Sequence, residues 1–197
     1  SLSFFILASI KRDSAFSTEG GLKYFILGAF SSGLLLLGFS FIYGFLGVTD
    51  FESISKFLLS FDNYVFLDKF VLGGFFILFA LLFKLVVVPF HMWAPDVYEG
   101  APYPVAMFFS VIPKIGVFFI FIKLLFVVFY DLIIFWNSLI FYCSLGSIFL
   151  GISLALYQKR IKKFLVYSSI SHMGFMLIGF STGTFEGLQS LFFYFFV

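Results

Sequence analysis

Apolar residues in this chain run on where a soluble helix or strand would alternate with polar ones. Uninterrupted apolar stretches at about 22–48, 71–93, 105–129, 132–157 and 164–180 lie near or above the roughly 18 residues that mark a bilayer-crossing helix. Shorter apolar stretches, 1–10 and 186–197, are each about half a crossing. Between the first two spans lies a polar stretch, 49–69, with Asp50, Glu52, Asp62 and Asp68. Residues 94–104 hold Pro95, Pro102, Pro104 and Gly100, which break a helix because each proline removes a donor and glycine permits a sharp turn. Pro104 suits the first turn of the span that follows. The pattern predicts an all-α, polytopic transmembrane helix bundle, one domain of five full spans and two halves, with a broken helix near Pro89 to Pro104.

Composition agrees with lipid as the solvent: 62% of residues are hydrophobic, 11% are charged and the mean hydropathy is +1.13. The 36 phenylalanines read as bulk for lipid-facing positions. Lys11-Arg12 and the basic loop 159–163 are four crossings apart, hence on one face, which the positive-inside rule makes the matrix or cytoplasm. Residues 1–10 read as the tail of a span, not a signal peptide, because no basic segment precedes them. The chain is expected to be cut at both ends or completed by another polypeptide. Ser147 and Gly151 form a small-xxx-small pair that lets helices approach. A lone Cys143 and the lack of a glycine-rich dinucleotide turn imply no flavin, nicotinamide or iron–sulfur site in this chain.

Charge inside a span costs roughly 2.5–3.5 kcal/mol, so each intramembrane lysine needs a reason. Lys123 falls at the far end of its span, where a long side chain can snorkel. Lys114 lies ~15 Å into the same span and faces protein or water. Pro113 beside it frees the carbonyl of Phe109. Lys84 and His91 stand seven residues apart, on one face of an unbroken helix and ~10 Å from each other, a gap that suits a water bridge. Pro89 between them orphans the carbonyl of Leu85, which belongs beside a hydrated cavity. Lys23, near the start of its apolar run, reads equally as a buried or a snorkelling lysine. His172 follows Ser168 by one turn and reads first as a buried packing histidine.

Two histidines also fit haem ligation, but that reading leaves the lysines unexplained. Amines and an imidazole joined by water are what proton transfer through lipid requires. A lysine desolvated in the membrane is shifted toward neutrality and can load and unload a proton.

The segment Lys84-Leu-Val-Val-Val-Pro-Phe-His91-Met-Trp-Ala-Pro-Asp96-Val-Tyr-Glu99-Gly-Ala-Pro closely resembles the core motif of the NADH dehydrogenase subunit 2 family. Segments 12–33, 108–115 and 162–174 resemble it as well, so the likeness covers essentially the whole chain and is mitochondrial in flavour. The resemblance implies an antiporter-like subunit in the membrane arm of complex I, in the mitochondrial inner membrane. It implies a proton relay through Lys23, Lys84, His91 and Lys114, with His172 a lesser candidate. Flavin, iron–sulfur clusters and quinone are expected in other subunits. Neighbouring antiporter-like subunits and lipids are the expected partners, and nucleic acid is not.

Members of that family carry a glutamate on the span before the Lys11-Arg12 loop, which pairs with the Lys23-type lysine. It is expected from a second polypeptide, or from the part of the chain missing if this is a fragment. The alternatives are a stand-alone cation/proton antiporter and a structural scaffold with an inactive channel.

Overall fold

The computed structural model describes residues 2–11, 14–60 and 64–196. Arg12 and Asp62 lie outside them, and so does the side chain of Asp68. The described residues form a bundle of α1 (Leu2–Ala8), α2 (Ala15–Leu46), α3 (Phe51–Ser60), α4 (Tyr64–Leu85), α5 (Trp93–Gly100), α6 (Tyr103–Lys123), α7 (Ile133–Tyr157), α8 (Ile161–Ser181) and α9 (Phe185–Phe196). Four stretches are long and apolar enough to cross a membrane: Ala15–Leu46, Tyr103–Val128, Phe135–Tyr157 and Ile161–Ser181. α4 adds the shorter apolar run Phe70–Leu85.

α2 begins at Ala15, seven residues before the apolar run, because Ser14 caps it by accepting from the Ser17 N–H. Lys23 is therefore two turns inside a helix. Part of the polar stretch 49–69, read as a connection, is the helix α3. Asp50 accepts from the Ser53 N–H at 3.2 Å, and Ile54 turns inward to the core.

The helix carrying Lys84 ends at Leu85, four residues earlier than Pro89 would require. Val86 takes a φ of 62°, a left-handed conformation that costs a residue with a Cβ roughly 1–2 kcal/mol. The Val88–Pro89 peptide is cis. The freed carbonyl of Phe83 accepts from the Val86 N–H and from the indole N–H of Trp93, the latter at 3.3 Å. Beyond the break, Trp93–Gly100 is not the expected turn but the short helix α5. Proline at its third residue needs no donor there.

Close approach at two seams sets the site. α5 lies flush on α2: a Cβ on Gly20 would sit 3.1 Å from the carbonyl oxygen of Asp96, and one on Gly100 would meet the carbonyl of Phe16. At the α7–α8 seam, Gly151 lies so close to Ser171 that a Cβ would come within 2.8 Å of its backbone nitrogen, and Gly174 faces Ser147 in the same way. α6 continues through Pro113, then widens into a π-helical turn at Leu124–Val128. Two apolar clusters result, one centred on α4, the end of α6 and α8, the other around Trp93, Val97 and Tyr98 of α5.

Candidate functional site

The sequence-predicted residues fall into three separate environments. Lys84, half-buried, lines a cavity of about 300 Å³ between α1, α2, α4, α5 and α6. Seven of its sixteen lining residues are aromatic. Tyr24 stacks on Trp93 at 4.9 Å between ring centroids, and Trp93 stacks on Phe83 at 5.4 Å. Besides Lys84 the cavity presents the hydroxyl-bearing side chains of Tyr24, Ser31, Ser32 and Tyr98. Such a space has room for several waters, each needing two to four polar partners.

Lys114 is buried, 7% exposed, and turns away from that cavity. Its Nζ donates to Ser169 Oγ on α8 at 3.1 Å, and Ser169 in turn donates to the Val166 carbonyl at 2.8 Å. Its neighbour Pro113 lines the Lys84 cavity. Neither Lys84 nor Lys114 forms an ion pair among the described residues.

Lys23 belongs to a different environment, an ion-pair chain at the end of the bundle where α2 and α8 begin. Its Nζ contacts Asp96 Oδ2 at 2.7 Å and Glu19 Oε1 at 2.8 Å. Lys163 reaches Glu99 Oε2 at 2.9 Å and Asp96 Oδ1 at 3.9 Å, and Arg160 also pairs with Glu99. Lys162 caps the C-terminal end of α5, donating to the Ala101 carbonyl at 2.6 Å and lying over the Tyr103 ring. Cations from two spans thus grip one short helix. Sequence reasoning used the 159–163 loop only for orientation and missed this clamp. The signal was present in two acids three residues apart, Asp96 and Glu99, and two bases three apart, Arg160 and Lys163.

His91 does not share a helix face with Lys84, because the break intervenes. Its ring is 5% exposed, and its Nδ1 is sealed from solvent without a hydrogen-bond partner among the described residues. His172 corrects the sequence reading. It is exposed instead of buried, and its Nδ1 meets the Tyr194 hydroxyl on α9 at 2.7 Å, not Ser168. Lys123 is exposed at the end of α6, where snorkelling requires it.

A bundle that holds Lys84 and Lys114 without counter-ions among the described residues, the first of them beside a cavity, can move protons, and it can also exchange cations. Comparison with known proteins bears on this choice. The pattern of the family described as "NADH:quinone oxidoreductase/Mrp antiporter, TM" matches residues 1–197. The chain is 52% identical over 194 residues to NADH-ubiquinone oxidoreductase chain 2 of Marchantia polymorpha, covering 97% of this chain and 39% of that protein. It is 46% identical over 190 residues to NADH-quinone oxidoreductase subunit N of Pelagibacter ubique, covering 96% of this chain and 39% of that one. Respiratory complex I from Thermus thermophilus holds a chain of similar fold, with a TM-score of 0.72 and 30% identity over 93% of this chain and 38% of that one. The chain thus spans about two fifths of the length of these relatives. With its whole length matched, a polytopic helical fold and lysines held within the bundle, the chain belongs to the NADH:quinone oxidoreductase/Mrp antiporter family of transmembrane subunits.

Proposed function

We propose that this chain is part of a proton-translocating membrane subunit of respiratory NADH:quinone oxidoreductase in the mitochondrial inner membrane. One observation carries the reading: Lys84, half-buried beside a helix break, opens on an internal cavity with no carboxylate in ion-pair reach among the described residues. An amine so placed is not locked in its charged form by a counter-ion, which is a condition for passing a proton on. The relay comprises Lys23 at the clamp, Lys84 at the cavity, and Lys114 at Ser169, with His91 as a water-coupled bridge. His172 stands apart from it.

In this reading the chain does no redox chemistry. Flavin, iron–sulfur clusters and quinone belong to other subunits, and the partners are membrane-arm neighbours and lipid. A carboxylate from a further part of the subunit, on the same or a second polypeptide, joins Lys23. The test is Lys84→Ala in the native organism, with complexes separated by native electrophoresis and proton translocation measured in sealed vesicles. The variant chain is expected to comigrate with NADH:quinone oxidoreductase activity while the protons moved per NADH oxidised fall. Unchanged translocation ends the assignment.

The family's second branch, the Mrp antiporters, supplies the competing reading of a stand-alone cation/proton antiporter. Migration of the chain as a small species without NADH oxidation, together with cation-dependent proton movement, would favour it.

A further inference from the structure

We propose that Tyr98 is the link through which a proton passes between the Lys84 cavity and the groove at Ser169 and Lys114, an inference that rests on the relay reading above. The two lysines do not share a compartment. Lys84 lines the cavity of about 300 Å³, whereas the Lys114 amine is turned to Ser169, which lines a separate groove of about 100 Å³ with Ser110, Tyr103 and Lys162. Among the described residues, Tyr98 alone lines both spaces.

The placement of Tyr98 fits that task. It stands on α5, the short helix held from outside by the cations of α2 and α8, so its ring cannot drift with a loose loop. The side chain is 5% exposed, and Phe109 meets its ring edge-on at 6.3 Å between centroids. Its hydroxyl takes no hydrogen-bond partner among the described residues. Among the described residues His91 Nδ1 alone is both sealed and without a partner, so the unpartnered Tyr98 oxygen keeps contact with open space. A buried phenol that served packing alone would normally find a partner for its O–H. The open space at this oxygen has room for water to serve as that partner.

A phenol donates one proton and accepts at the same oxygen. Water carrying the proton released by Lys84 gives it to the phenol oxygen, while the phenol's own O–H proton leaves to water on the Ser169 side, bound for the Lys114 amine. Tyr98 ends neutral, and a small rotation of the hydroxyl resets it. No heavy-atom bond forms or breaks, and no other reactant is needed. Phenylalanine at this place keeps the ring and its packing but removes the acceptor and the donor together.

The experiment compares Tyr98→Phe, Lys84→Ala and the double variant in the intact complex, with Tyr157→Phe at the end of α7 as the control because it lines neither space. Tyr98→Phe is expected to assemble as wild type, to lose the same share of protons per NADH oxidised as Lys84→Ala, and to add no further loss when the two are combined. Tyr157→Phe is expected to translocate as wild type. Wild-type translocation by Tyr98→Phe beside a deficit in Lys84→Ala overturns the link and leaves the relay standing. Deficits that add also overturn it, since two residues on one path are not independent. No deficit in Lys84→Ala removes the relay itself. If Tyr98→Phe fails to assemble, Ser169→Ala cuts the same connection from the other side. It is expected to match Lys84→Ala, and wild-type behaviour in it overturns the proposal.

Discussion

Cations at the end of the bundle and cations within it are treated in opposite ways. Around α5, Lys23, Arg160 and Lys163 each contact a carboxylate, and Asp96 and Glu99 are each shared by two cations. Deeper in, Lys84 has a cavity for a neighbour and Lys114 a single serine hydroxyl. A lysine beside a carboxylate holds its proton more firmly and also anchors its helix, whereas one without a counter-ion sits in a setting that penalises its charge. The same side chain therefore orders the bundle in one region and is free to exchange a proton in the other.

The comparison breaks most sharply at Lys114. Lys114→Met is expected to cut proton translocation as deeply as Lys84→Ala while leaving the assembled complex as heat-stable as wild type or more so. An unpaired buried charge costs desolvation energy that an apolar side chain of similar volume does not, and Ser169 keeps its own bond to the Val166 carbonyl. Native electrophoresis after graded heating reads this, and a clear loss of assembly would make Lys114 a structural residue.

In the other region the signs reverse. Glu99 is 15% exposed and holds both Arg160 and Lys163, so Glu99→Gln leaves two cations without their common partner. Roughly 1–3 kcal/mol of stability should be lost. Limited proteolysis across the segment 86–102 should then quicken, and an unaltered digestion rate would show that the clamp does not hold α5. The smallest effect is expected at Asp96, 41% exposed, because Lys23 keeps Glu19. Asp96→Asn should cost less than about 1 kcal/mol, and high salt should erase the difference. A larger loss in Asp96→Asn than in Glu99→Gln would reverse the ranking of the two carboxylates.

The contrast was only half legible in the residues. Lys114 could be singled out because helical rise places it at membrane depth, and Lys84 because His91 and Pro89 stand close to it in the chain, and both lie within the folded bundle. Lys23 could not be decided, since the apolar run begins at Leu22 while its helix begins at Ala15, where a serine cap sets the start. The short helix α5 was hidden by its own Pro95 and Gly100 and by the prolines that follow it, which locally signal a turn. His172 lay on a stretch whose serines implied burial, yet it points outward to Tyr194 because α9 crosses there.

Apolar runs and the buried lysines within them determined, by themselves, that the chain crosses a membrane and holds charge where lipid penalises it. Those are properties of a residue and its nearest neighbours along one helix. Where α4 stops was decided by the fold: Val86 adopts its left-handed conformation where Trp93, from beyond the break, meets the freed carbonyl of Phe83. The fold likewise chose which lysines meet acids, because Lys23 and Asp96 are 73 positions apart and come together only when α5 settles on the glycines of α2. A counter-ion is a matter of distance in space, and spacing along the chain carries no record of it.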